Sequence, residues 1–352
     1  MKILLVKPSS LGDIIHALPA AAALRNMPGV ERLDWVINHE LAPVIEGSPV
    51  VSNVIHFPRR NLRALPGFLI NLRRQRYDLA VDLQGLLRSA LICAAARVRT
   101  IAGVADAREG AALFYRQKLA ATSRHAVLRN IEAVQQLGAA HAPLHFPLPP
   151  LGLPAGFEPD PPYIVLHPHS KWPTKSLAHG VVKKIVEALE PQRVVIVGRG
   201  EFAPLQGSEN WTNRTSLTEL LAILRHARGV ISTDSGPLHM ACALDVPTVA
   251  LFGPTVPQKT GPWSEHSAVV RLRLPCVPCQ SRVCAWKEPH ACLSQLPPHA
   301  IVRELHRLIG KKQSAPPQNN TAVVPKNLPG TSRHEMPAAD TQRDAEATAE
   351  PR

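Results

Sequence analysis

Along the chain, short apolar runs rich in β-branched residues alternate with longer stretches whose apolar positions recur every three or four residues. The first kind reads as strands buried on both faces and the second as helices with one buried side, so the alternation predicts βαβ units on a parallel sheet. In the first part the spacing predicts strands at 3–6, 33–37, 54–57 and 79–82. Helices are expected through 14–25, near 41–46, around 68–76 and through 87–96. Prolines then crowd residues 142–162, the composition of a semi-rigid linker. The alternation restarts with strands at 163–167, 193–197, 229–232 and 248–252 and helices through 181–189, 217–225, 238–244 and 300–308. Beyond Gly310 large apolar residues almost vanish, so 311–352 is expected to be a disordered tail. The organisation expected is two doubly wound α/β domains in tandem, at 1–150 and 160–310.

Composition narrows the partners. The chain of 352 residues carries 40 basic and 27 acidic side chains, a balance that favours an anionic partner. Aromatic content is 4%, and no basic stretch is interleaved with aromatics, which disfavours a nucleic-acid-binding role. The first apolar run ends at Lys7, too short for a secretory core, and no stretch reaches the about eighteen apolar residues of a membrane span. A cytoplasmic location with reduced cysteines is expected.

Two strand-to-helix turns carry the chemistry. Pro8-Ser9-Ser10-Leu11-Gly12-Asp13 follows the first strand, and Ser232-Thr233-Asp234-Ser235-Gly236-Pro237-Leu238-His239 follows the strand at 229–232. In an open parallel sheet such turns lie at the carboxyl edge, where helix N-termini present free N–H groups to anions. Asp13 is either a capping acid or a carboxylate that takes a proton from a substrate hydroxyl, with Gly12 allowing close backbone approach. Ser235 and Gly236 offer successive N–H donors suited to a diphosphate. His239 either donates a further bond or sits on the helix surface. Glu201, in Gly198-Arg199-Gly200-Glu201, is placed to read a ribose or base. No G-x-G-x-x-G opens a helix and no Walker Lys-Ser/Thr occurs, which argues against a nicotinamide oxidoreductase and a P-loop ATPase. With no nearby acid pair for Mg²⁺, charge stabilisation falls to Lys175 or Thr174 and to helix N-termini.

Together with Asp82-Leu83-Gln84-Gly85, Trp172-Pro173-Thr174-Lys175 and Leu251-Phe252-Gly253-Pro254-Thr255, these motifs resemble the lipopolysaccharide heptosyltransferases, glycosyltransferase family nine. The resemblance runs in order over residues 1–310. It implies a GT-B fold, two Rossmann-like domains facing a cleft, with the acceptor on the N-terminal side and the nucleotide sugar on the C-terminal side. It further implies metal- and cofactor-independent, inverting transfer of heptose from ADP-heptose to the lipid-anchored inner core, onto Kdo or the first heptose. Asp13 would be the general base. Ser9, Ser10, Gly12, Thr174, Lys175, Asp234, Ser235, Gly236, Pro237 and His239 would line the donor, and Glu201 would meet the adenosine. Lys175 is followed here by Ser176-Leu177, unlike many relatives, which leaves Lys171 as a rival phosphate clamp. The enzyme would sit peripherally on the inner face of the inner membrane. Another nucleotide-sugar transferase on the same fold is the nearer alternative.

Between Glu46 and Asp78 no acid occurs while arginines accumulate. The resemblance favours Arg59, Arg60 and Arg63 as anchors for acceptor anions, since guanidinium forks bind phosphate and carboxylate bidentately. Arg73, Arg74 and Arg76 would face solvent or anionic lipid. Cys276, Cys279, Cys284 and Cys292 have a spacing open to three readings: structural thiols, a metal site, or a redox-sensitive disulfide. Cys93 and Cys242 read as small core residues.

Overall fold

The computed structural model describes residues 1–140 and 144–314, and the backbone of Glu335–Pro337. Its first half holds six parallel strands: β1 (Lys2–Val6), β2 (Arg32–Asn38), β3 (Asn53–Phe57), β4 (Leu79–Asp82), β5 (Thr100–Val104) and β6 (Gln117–Leu119). They lie in the order β3-β2-β1-β4-β5-β6, with Leu5 of β1 opposite Trp35 and Val81. Helices α1 (Leu11–Arg25), α2 (Leu65–Arg74), α3 (Leu87–Ala95) and α4 (Ala126–Gln135) cover both faces. That coverage explains why β1 is apolar from Ile3 to Val6. Ile3 and Leu5 point into one core with α1 and α4, whereas Leu4 and Val6 point into another with α2 and α3.

The second half repeats the plan. Strands β7 (Tyr163–His167), β8 (Arg193–Ile196), β9 (Ser208–Asn210), β10 (Gly229–Thr233), β11 (Thr248–Leu251) and β12 (Ser267–Arg273) lie in the order β9-β8-β7-β10-β11-β12. A three-residue strand, β13 (Glu335–Pro337), pairs in parallel with Arg271–Arg273 of β12. The helices are α5 (His179–Leu189), α6 (Leu217–His226), α7 (Gly236–Ala243), α8 (Pro257–Thr260), α9 (Ala291–Ser294) and α10 (Pro298–Gln313). Both sheets are doubly wound, and their order reverses between β1 and β4 and between β7 and β10. A crevice forms at the carboxyl ends of such strand pairs, and both signature turns open there.

The two halves share apolar packing. Helix α7 is buried almost all round, and Met240 and Ala241 join Ile14 and Leu18 of α1 in one cluster. The proline-rich stretch is laid against this core: Leu144 and Phe157 are buried in it, and Ser48 Oγ donates to Pro147 O at 2.5 Å.

Several expectations needed revision. The segment near 41–46 is a 3₁₀ helix, His39–Val44, because Pro43 supplies no N–H to continue an α-helix. The last helix runs to Gln313, since Leu308 and Ile309 are buried and Lys312 reaches Asp245 at 3.4 Å. The remainder of the expected tail lies outside the described residues, apart from β13. Strands β5, β6, β9 and β12 lie outside the predicted elements; β6 and β9 are three-residue strands (Gln-Lys-Leu and Ser-Glu-Asn) without an apolar run.

Candidate active site

The turn after β1 places a carboxylate beside a buried cation. Asp13, in the first turn of α1, accepts from the Ser10 backbone N–H at 3.0 Å and the Ser10 hydroxyl at 2.8 Å. Lys7, almost fully buried at the end of β1, donates to Leu83 O at 2.6 Å. Burial pushes the Asp13 carboxyl up, but the Lys7 ammonium, the two Ser10 bonds and His16 outweigh it and leave Asp13 below its ordinary value. Burial conversely lowers the Lys7 ammonium, with Asp13, Asp82 and Asp106 opposing. Ser9 is tied to the neighbouring turn, its N–H donating to Gln84 Oε1 at 3.3 Å. Asp82 braces that turn by accepting from the Gln84 and Gly85 N–H groups at 2.8 and 3.0 Å and from the Tyr115 hydroxyl at 2.7 Å.

Across the crevice, the turn after β10 is built around Asp234. Its Oδ2 accepts from Lys175 Nζ at 3.0 Å and from the Thr255 hydroxyl at 2.7 Å. The Lys175 ammonium also lies 5.2 Å from the centre of the Trp172 ring, a cation–π contact that orients the side chain. Both partners of the Lys175–Asp234 pair are largely buried, and removing one such partner costs about 3–5 kcal/mol because the other charge is left uncompensated. Helix α7 begins at Gly236 with Ser235 as its N-cap residue. Pro237 has no N–H, so the free donors that open this helix come from Ser235, Gly236 and Leu238. The Ser235 hydroxyl is 3.2 Å from His167 Nδ1, and burial, with His169 adding to it, pushes His167 down to about 3.

The two turns touch. A Cβ placed on Gly12 would stand 2.5 Å from His239 Cδ2, and one on Gly236 would overlap the Leu11 side chain. Glycine at both positions is what lets the walls approach. His239 is buried, so it is no surface histidine. Its Nδ1 lies 3.1 Å from His16 Nε2, and its Nε2 lies 3.9 Å from Asp234 Oδ1. Burial, reinforced by His125 and Lys175, pushes His239 down to about 3.

The remaining candidates stand apart. Glu201 is exposed in the loop after β8. Arg59, Arg60 and Arg63 are exposed after β3, with Arg60 Nη1 3.9 Å from Glu40 Oε1. Lys171 is exposed, whereas Lys175 is held in the crevice by Asp234 and Trp172. Thr174 is buried and donates to Ser281 O at 2.7 Å, which fastens the cysteine-bearing loop over the clamp rather than offering its hydroxyl to a ligand. All six cysteines are free thiols, Cys93 and Cys242 are buried, and no metal-ligand group of three or more side chains occurs among the described residues. Sequence reading passed over Lys7, His16, His167, Trp172 and Thr255 as site residues. Lys7 left a signal as a cation closing an apolar run, and Trp172 and Thr255 stood inside the quoted motifs.

Residues 68–290 match glycosyltransferase family 9 (heptosyltransferase). The chain is also 32% identical to lipopolysaccharide heptosyltransferase 1 of Pseudomonas aeruginosa, over 88% of its own length and 98% of the relative's. The chain belongs to glycosyltransferase family 9. A second relative in this family, lipopolysaccharide heptosyltransferase 1 of Escherichia coli K12, is 29% identical over 77% of the chain and 93% of the relative. The E. coli heptosyltransferase WaaC solved with ADP superposes with a TM-score of 0.71 at 25% identity, covering 88% of the chain and all of that structure. E. coli ADP-heptose LPS heptosyltransferase II gives a TM-score of 0.72 at 22% identity, over 89% of the chain and all of that structure. The family 9 chain is therefore a glycosyltransferase of lipopolysaccharide synthesis with the two-sheet GT-B architecture.

Proposed function

We propose that the protein transfers heptose from ADP-heptose, with inversion at the anomeric carbon and without a metal, to the inner core of a lipid-anchored saccharide. The observation that carries this reading is the pairing of an ionised, hydrogen-bonded Asp13 on one wall with the Lys175–Asp234 clamp and the α7 N-terminus on the other. Asp13 removes the proton from the acceptor hydroxyl as its oxygen bonds to the anomeric carbon. The bond from that carbon to the donor phosphate breaks on the opposite face, and ADP leaves with the electron pair. Negative charge grows on the diphosphate in this step, where Lys175 and the N–H groups of Ser235 and Gly236 bind it more tightly than in the ground state. Ser9, Ser10 and Gly12 close the donor side from the first half, and Glu201 meets the adenosine. Domain 1–150 takes the acceptor and domain 160–310 the donor.

Arg59, Arg60 and Arg63 anchor acceptor anions. Arg73, Arg74 and Arg76, on and just after α2 with the half-exposed Ile70, face the anionic lipid in which that acceptor sits. No helix among the described residues is long and apolar enough to cross a membrane. Two long matches, at 32% and 29% identity, are to proteins named heptosyltransferase 1, which supports a heptose-free core as the acceptor. The test is release of ADP from ADP-heptose with inner-core acceptors that carry or lack the first heptose, with and without EDTA. Transfer to the heptose-free acceptor that survives EDTA is expected. Transfer only to the heptosylated acceptor, or a loss restored by Mg²⁺, would overturn the corresponding part.

A further inference from the structure

The histidine contact between the two walls has a consequence for the reaction. His16 sits one turn of α1 beyond Asp13, fully within the protein, and reaches His239 of α7 across the junction. Its surroundings come from four elements: Lys7 at the end of β1, Asp13 on its own helix, His125 at the start of α4 and His239 on α7. Asn130 of α4 donates to His16 O at 3.1 Å and the His125 ring lies edge-on at 5.8 Å, so the residue is fixed on every side.

The proton positions follow from the partners. His239 Nε2 points toward the Asp234 carboxylate, where a lone pair would be repelled and an N–H is attracted. His239 therefore carries its hydrogen on Nε2 and accepts at Nδ1. His16 must then donate from Nε2, which leaves His16 Nδ1 as a bare acceptor, in keeping with its having no hydrogen-bond partner. The opposite assignment would leave a buried N–H without an acceptor and set a lone pair against a carboxylate, which costs more. The resulting line runs from α1 through His16 and His239 to Asp234, which holds Lys175.

We propose that His16 is a positioning residue for the transfer. Its Nε2–H bond to His239 sets the separation at which Asp13 faces the donor phosphates, and it aims the His239 N–H at Asp234. Apolar packing between α1 and α7 holds the walls together, and the imidazole pair sets their register. This inference rests on the reading of Asp13 as the base and of Lys175 as the clamp. A misplacement of about an ångström at such a junction slows chemistry on the order of 10²-fold while leaving ground-state binding in place.

The test compares His16→Leu, which removes the donor, with His16→Gln, whose amide N–H reaches the place of Nε2. The Leu variant should lose about ten- to a hundredfold in kcat while its affinity for ADP stays within about threefold. The Gln variant should recover most of that loss. If the Leu variant fails to fold, His16→Asn, whose amide stops one bond short, replaces it. Leu or Asn variants with wild-type kcat would overturn the proposal, as would a Gln variant as slow as the one lacking a donor. The ¹⁵N shifts of His239 supply a readout independent of activity, and a hydrogen on Nδ1 rather than Nε2 also overturns it. Full turnover in Asp13→Asn would instead remove the base assignment and leave the proton arrangement of the histidine pair intact.

Discussion

The turn after β1 and the turn after β10 each border the point where strand order reverses in two sheets of like order, yet they treat their carboxylates differently. Asp13 is half-buried, held by Ser10 and biased by a lysine that forms no direct bond to it, so its charge is secured while one oxygen stays uncommitted. Asp234 is buried, and one of its oxygens is taken up by Lys175 and Thr255. The first arrangement suits a group that receives a proton, and the second suits a group that holds a cation in place. The same scaffold thus leaves one acid open to a proton and ties the other to a cation, according to whether the neighbouring cation is near or in contact.

The sharpest way to break this contrast is Asp13→Asn. Turnover should fall by ~10²–10⁴ with ADP binding near wild type, as for loss of a general base; full turnover would make Asp13 a capping acid like any other. Next, Lys175→Ala should both weaken the ADP-sugar and lower the maximal rate, by about ten- to a hundredfold, as a charge-assisted contact is lost. Isothermal titration with ADP and steady-state kinetics separate the two effects, and the matching Lys171→Ala should change neither. Changing Arg59, Arg60 and Arg63 together to Ala should raise the acceptor KM by about tenfold and flatten its salt dependence, leaving donor affinity alone. An equal loss on donor and acceptor would end the division of the cleft into two walls.

The smallest expected effect is on stability against pH. His167 and His239 are held neutral down to about 3, against an ordinary value of 6.5. Between those values the unfolded chain binds protons that the folded chain refuses, so stability is full above pH 6.5 and declines as pH falls through that window. Asp13, whose value is lowered, adds a contribution that is present above the usual carboxylate range and lost only at lower pH. Melting temperature should therefore drop between pH 7 and 5, before the carboxylates titrate, and His167→Asn should make that drop shallower. An unchanged slope would mean that His167 is solvated in the folded protein.

Much of this was legible in the chain. Short apolar runs such as Ile3–Val6, spaced between helical patterns, read as strands covered on both faces, and Pro, Ser, Gly and Asp after two of them mark turns at the carboxyl edge of the sheet. The placement of Asp13, Ser235 and Gly236 at helix openings was accessible by that logic, because turn and cap geometry are local. The histidines were not. His16 and His239 are separated by more than two hundred positions and meet only because α1 packs on α7. Thr255 likewise acquires its role by reaching Asp234 from a separate loop, whereas Trp172 meets Lys175 within one segment.

The sequence by itself determined the strand-and-helix alternation, the two carboxyl-edge turns and the residue types available to them, since periodicity and turn chemistry act over a few residues. Only the tertiary structure decided which lysine is held in the crevice, that Thr174 fastens a loop, and that a neutral histidine pair joins the two walls. Burial and long-range contact set those outcomes, and neither is a local property of the chain.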